Sequence, residues 1–184
     1  MRLFVALNFP AELRERLWAG AEPLRALDLP VRWVPANDLH LTLKFLGETP
    51  EDRLEELGRA LDQAVTGVRP LPVTVEGFGA FPNAKSPTVI WAGVGSEPAL
   101  ELLQHGVERA FGPLGFPPEG RPFRPHVTLG RIRSPEGLHY LTPKLENITF
   151  EPLMGTIREV LIVKSVLRPQ GAAYTVLSSI QLQP

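Results

Sequence analysis

The sequence predicts an α+β fold, and three observations carry the prediction. Apolar segments of strand length alternate with amphipathic segments of helix length in mixed order, unlike the regular strand-helix repeat of a doubly wound sheet. One pattern, His-x-Thr-Leu, occurs in a strand segment of each half of the chain, as His40-Leu41-Thr42-Leu43 and as His126-Val127-Thr128-Leu129. Its recurrence about half a chain length later points to an internal duplication of a βα-type lobe, too divergent to count as a repeat array. Finally, 184 residues, 43% apolar and 21% charged, suffice for one good core or for two small lobes that share one. The expected unit is a single two-lobed domain over residues 1–184.

The elements follow in order. Arg2 to Leu7 reads as a buried strand, and Pro10 then sits where a helix start tolerates it, ahead of an amphipathic stretch from Ala11 to Leu27. Val31 to Val34 and His40 to Leu46 are the next strands. Thr49, Pro50, Glu51 and Asp52 supply a cap, a first-turn proline and early acids for a helix to about Val65. Leu71 to Phe81 and Thr88 to Val94 are apolar strands, and Ser96-Glu97-Pro98 opens a helix through about Phe111. His126 to Arg133 is the second motif strand. A short helical turn is expected within Pro135 to Leu141, and two long strands, Thr156 to Leu167 and Ala173 to Leu182, follow it.

Composition narrows the function. Twenty Pro and sixteen Gly fall at element boundaries, where they punctuate the chain. With no cysteine, disulfides and thiolate metal sites are excluded and a cytoplasmic location is the default expectation. The first residues lack the pattern of a signal peptide, and no stretch has the length of a membrane span. A net charge of −1 denies the whole protein a strong attraction for nucleic acid, so any such contact must be local.

In an extended strand, residues i and i+2 share a face. His40 therefore stands beside Thr42, and His126 beside Thr128, while Leu41, Leu43, Val127 and Leu129 point into a core. Two imidazoles can give and take a proton at once near neutral pH, which is what in-line cleavage of a phosphodiester needs. The threonine hydroxyls would donate to the non-bridging oxygens. This scheme requires no metal and no cofactor. Around the second motif, Arg121, Arg124, Arg131 and Arg133 form a local positive patch without one acid, suited to an anionic substrate. Arg124 and Lys44 are candidate substrate contacts. His105 and His139 have no matching pattern and receive no role, Trp33 and Trp91 are expected to fill the core, and neither a dinucleotide loop nor a Walker sequence is present.

At these residues the chain resembles the two-histidine phosphoesterases of the LigT type, the RNA 2′,3′-cyclic phosphodiesterases also called 2′-5′ RNA ligases. The resemblance runs through the first strand, Trp33-Val34, Leu39 to Gly47, Gly77 to Pro82, Val89 to Trp91 and Pro125 to Arg131. It implies two pseudo-symmetric lobes, each a mainly antiparallel sheet with outer helices, facing across a central cleft. It also implies His40 as proton donor, His126 as proton acceptor, hydrolysis of RNA 2′,3′-cyclic ends to 2′-phosphates, and reversible 2′-5′ ligation. The residue five beyond each motif histidine is implied to line the cleft, Phe45 for base contact and Arg131 for phosphate. An undisturbed strand would turn both away from the histidine face, so the strand must end or a bulge must re-aim them. The implied partner is an RNA cyclic-phosphate end, met by a monomer away from membranes. The residues alone leave open a phosphoesterase for a small cyclic nucleotide or ADP-ribose cyclic phosphate, a non-catalytic module that binds RNA ends, and, more weakly, a metallohydrolase.

Overall fold

The computed structural model describes residues 1–183. Its strands are β1 (Arg2–Asn8), β2 (Val31–Trp33), β3 (His40–Glu48), β4 (Leu71–Phe81), β5 (Val89–Val94), β6 (His126–Ile132), β7 (Leu153–Ile157), β8 (Glu159–Arg168) and β9 (Gly171–Gln181). The helices are α1 (Ala11–Gly20), α2 (Glu22–Arg25), α3 (Leu54–Val65), α4 (Pro98–Phe111) and α5 (Leu138–Asn147). The fold is α+β, as the mixed order of elements predicts. All nine strands join one antiparallel sheet in the order β7-β4-β5-β6-β3-β1-β8-β9, with β2 paired to β6. The two expected sheets are thus halves of one, joined where the motif strands meet at the single pair Leu41↔Val127.

A single residue, Arg158, separates β7, at the edge of one half, from β8, inside the other half. So short a link is possible only if the sheet curls until its distant strands approach one another. This corrects the expectation of one strand from Thr156 to Leu167: β7 pairs with β4, whereas β8 pairs with β1 and β9. Helices cover one face of the curl. Leu13 and Leu17 of α1, Leu57 and Leu61 of α3, Leu103 and Val107 of α4, and Leu141 and Leu145 of α5 bury against Leu3, Val5, Leu7, Leu41, Val127 and Leu129 in one continuous core. The other face is open and carries a small buried apolar cluster of Phe4, Ala6, Leu161 and Val163, with Tyr174 packed on it.

Two helices depart from expectation. The stretch from Ala11 to Leu27 is broken between α1 and α2, because Gly20 weakens the helix and Pro23 removes the backbone donor that would have continued it. The turn expected before Leu141 instead runs to Asn147, since Leu138, Leu141 and Leu145 repeat at helical spacing and the last two are buried. Pro143 hides that periodicity in the sequence while sitting within the helix. Among the described residues, no helix is long and apolar enough to cross a membrane.

Candidate active site

The strand pairing resolves the conflict over parity. Ala6 lies opposite Thr42 and Val5 opposite Lys44, leaving Leu43 unpaired; Trp91 lies opposite Thr128 and Ile90 opposite Gly130, leaving Leu129 unpaired. The last leucine of each motif is therefore a bulge residue, and both are buried in the core. Beyond each bulge the alternation is shifted by one. Phe45 consequently lands on the open face opposite Phe4, at 56% exposure, and Arg131 on the open face opposite Val89.

The same shift turns Lys44 the other way. Its side chain is 1% exposed, its ammonium is ion-paired with Glu108 of α4, and it donates to the Pro117 carbonyl at 2.9 Å. Lys44, a candidate substrate contact by sequence, thus lies behind the sheet, where a bulge residue's neighbour must fill core volume. The Arg124 side chain is exposed, and its structural contribution is made by its main chain. Arg121 and Arg133 are likewise exposed, as are His105 and His139.

Across the central join the motif strands pair at Leu41↔Val127; continuing that antiparallel register by one residue on each side sets His40 against Thr128 and Thr42 against His126. The two histidines are then diagonal neighbours, about 7–8 Å apart in an ideal ladder and further apart where the strands diverge, leaving room for a tetrahedral group between the rings. Each ring is fixed in the same manner. His40 Nδ1 donates to the Asp38 carbonyl at 2.6 Å, and His126 Nδ1 donates to the Arg124 carbonyl at 2.7 Å. Because a carbonyl only accepts, Nδ1 carries the hydrogen in both rings, and Nε2 is the atom left for chemistry.

Aromatic rings wall both sides. Phe4 stacks on His40 with centroids 5.0 Å apart, and Tyr174 meets His40 edge-on at 5.1 Å. Phe81 meets His126 edge-on at 4.9 Å and packs against Trp91 at 5.3 Å. Trp33 packs on the core as expected, whereas Trp91 corrects its expectation: as the cross-strand partner of Thr128 it stands on the open face. Its indole lies over Gly79, where an added Cβ would sit 2.1 Å from the ring. The glycine makes room for the tryptophan.

Burial lowers the pKa of both imidazoles. At His40, burial outweighs the upward pull of the Asp38 carbonyl and carboxylate, while the charges of Arg131 and His126 push further down. At His126, burial again dominates, opposed by the Arg124 carbonyl and reinforced by Arg131. Burial raises the Tyr174 hydroxyl, against the pull of Arg131. Arg131 thus bears on both histidines and on Tyr174, so its charge reaches the middle of the cleft. Among the described residues, no group of three or more His, Cys, Asp and Glu could hold a metal ion.

Sequence reasoning missed Phe4, Phe81 and Tyr174 as neighbours of the histidines, along with the two carbonyl anchors. For the anchors the available signal was symmetry, since each carbonyl belongs to the residue two before a motif histidine.

Relatives share this arrangement of chain. The sequence pattern of the 2'-5' RNA ligase superfamily matches residues 11–167. An RNA 2',3'-cyclic phosphodiesterase of Thermus thermophilus is 36% identical, over all of this chain and 91% of its own. A crystal structure of a Thermus thermophilus protein superposes with a TM-score of 0.82 at 32% identity, covering 99% of this chain and 98% of its own. The E. coli LigT structure complexed with 3'-AMP superposes with a TM-score of 0.73 at 28% identity, covering 100% and 98%. With a family pattern spanning most of its length and a relative of this identity aligned end to end, the chain belongs to the 2'-5' RNA ligase superfamily, the two-histidine phosphoesterases.

Proposed function

We propose that the protein hydrolyses RNA 2′,3′-cyclic phosphate ends to 2′-phosphates by acid-base catalysis between His40 and His126, without a metal. The observation that carries the reading is the matched pair of imidazoles, each anchored through Nδ1 to a carbonyl two residues back so that Nε2 is left for chemistry, on motif strands that meet at Leu41↔Val127. The names and activities of the relatives support the substrate class.

Neutral His126 takes a proton from water as its oxygen attacks phosphorus, and charged His40 gives a proton to the departing 3′ oxygen. One P–O bond forms and one breaks in line, and the pair resets when His126 releases its proton to solvent and His40 takes one up. Thr42, Thr128 and Arg131 hold the non-bridging oxygens as their charge grows. The order of roles follows the family resemblance; among the described residues, Asp38 is the only carboxylate acting on either ring, and its pull toward a charged His40 works against burial and the charges of Arg131 and His126. The cyclic phosphate is itself an anion, and its arrival between the rings favours the charged acid that burial disfavours in the free protein.

Phe45 offers a face for a terminal base, with Phe4 and Tyr174 behind it. The exposed Arg124 belongs to the positive rim that an incoming phosphate chain meets. This reading takes the chain as one two-lobed catalytic unit, a cytoplasmic monomer, with 2′-5′ ligation as the same in-line displacement run with a 5′ ribose hydroxyl in place of water: the new P–O bond forms to that hydroxyl, the 3′ oxygen departs, and cleavage of the 2′-5′ bond by the 3′ hydroxyl is the reverse.

The test is digestion of a defined 2′,3′-cyclic-ended oligonucleotide after exhaustive chelation, with the terminal isomer identified by chromatography. Full turnover to a 2′-phosphate is expected. Loss of turnover restored by one divalent metal would refute the acid-base scheme, a 3′-phosphate would refute the leaving group, and an untouched ester would favour a binding module or a small cyclic substrate.

A further inference from the structure

On the open face, β2 adds a feature that the two-histidine chemistry does not use. Arg32 lies directly opposite Arg131 in the β2–β6 ladder, and cross-strand partners project to the same side. Their neighbours Val31, Trp33 and Ile132 pack against the core, so both arginines project to the cleft side. Among the described residues, no carboxylate lies within salt-bridge distance of either guanidinium. Like charges directly opposite each other are unfavourable in a ladder unless something negative lies between them. Arg32 is also oriented: its Nη2 donates to the Pro169 carbonyl at 2.7 Å, in the turn between β8 and β9. Gly171, in the same turn, would bring an added Cβ to 3.3 Å from the Arg32 Cδ. One N–H of the fork is used in this way, and the others remain for a ligand.

We propose that Arg32, beside Arg131, binds a second phosphate, the one esterified to the 5′ oxygen of the nucleotide whose cyclic phosphate lies between the histidines. The proposal rests on the hydrolase reading and sharpens its substrate: an RNA chain, with a phosphate at each end of the terminal ribose, in preference to a cyclic mononucleotide. Arg131 reaches the histidines electrostatically, whereas Arg32 is the next charge outward along the same face. The pair therefore lies along the path from the scissile phosphate to its neighbour. Guanidinium groups suit the position because each can hold a phosphate with two parallel N–H donors.

The experiment is calorimetric binding of adenosine 2′-phosphate and adenosine 2′,5′-bisphosphate to the wild-type protein and to Arg32→Gln, with Arg32→Lys alongside. Wild type should bind the bisphosphate about tenfold or more tightly than the monophosphate, the scale of a charge-assisted contact. That ratio should collapse toward unity in Arg32→Gln and be partly kept in Arg32→Lys. The affinity for the bisphosphate should also fall less steeply with salt once the arginine is gone, because one screened charge pair is lost. An equal weakening of both ligands in Arg32→Gln would overturn the proposal and make the residue a support for the β8–β9 turn, and an unchanged ratio would overturn it outright. Binding is independent of turnover. A retained ratio in a protein that leaves cyclic ends untouched would therefore count against the hydrolase reading alone.

Discussion

Replacing Lys44 distinguishes a buried strut from a substrate contact. The ammonium is 1% exposed and its partner carboxylate 10%, and Gln104 and the Pro117 carbonyl complete the hydrogen bonding around them. Lys44→Met fills similar volume but leaves Glu108 buried without its counter-charge and Pro117 without its donor. Breaking one side of a buried pair costs about 3–5 kcal/mol, while replacing both sides by apolar groups is often neutral or stabilising. For a domain of this size each kcal/mol moves the melting temperature by about 2–4 °C, so Lys44→Met should melt roughly 6–20 °C lower. Lys44→Met/Glu108→Leu should recover most of that loss. The assay is thermal unfolding of both single variants and the double, with kcat and KM measured well below the lowest transition. Because Lys44 lies behind the sheet, the folded Lys44→Met protein should keep KM near wild type. A large rise in KM with a melting temperature unchanged would refute the buried assignment and restore Lys44 to the cleft.

Two further outcomes follow from the site. Both imidazoles are lowered below 6.5, so in the free enzyme a charged His40 and a neutral His126 coexist only on the acid side of that value; kcat/KM should peak below pH 6.5, and kcat, measured with the anion bound, at higher pH. The sign for stability agrees, since lowered folded-state values mean that the unfolded chain binds more protons: stability is full above about pH 6.5 and declines as pH falls through the folded values, which a pH series of denaturant melts would reveal. Gly79→Ala should force the Trp91 indole aside, costing about 1–3 kcal/mol and shifting tryptophan fluorescence. Its effect should largely vanish in a Trp91→Ala background, and simple additivity of the two would show that the indole does not occupy that space.

The motif strands were legible because a period of two is a local property: His40 with Thr42, and His126 with Thr128, share the open face wherever the strands end up. The bulges were legible only as a conflict between parity and the expected place of Phe45 and Arg131, which the register resolves at Leu43 and Leu129. Trp91 was misplaced because Val89 to Val94 is apolar on both faces, so alternation carries no information there. Lys44 misled for a different reason, its partner Glu108 being 64 residues away with nothing local to announce it. Tyr174 approaches His40 from β9 through the curl of the sheet, and the carbonyls of Asp38 and Arg124 act through the main chain, which side-chain identity does not encode. The divided strand at Arg158 escaped notice because both of its parts are apolar and the crossing between sheet halves is a tertiary event.

The central claim, that His40 is the acid and His126 the base, is tested most directly by the leaving group. Each single alanine variant should lose on the order of 10²- to 10⁴-fold in rate on an ordinary cyclic-ended oligonucleotide. A substrate with sulfur in place of the 3′ oxygen departs without protonation. On it, His40→Ala should recover to near the wild-type rate, while His126→Ala, still lacking the group that deprotonates water, should remain as slow as before. Recovery of His126→Ala in place of His40→Ala would reverse the two roles, and recovery of neither would contradict acid catalysis by this pair.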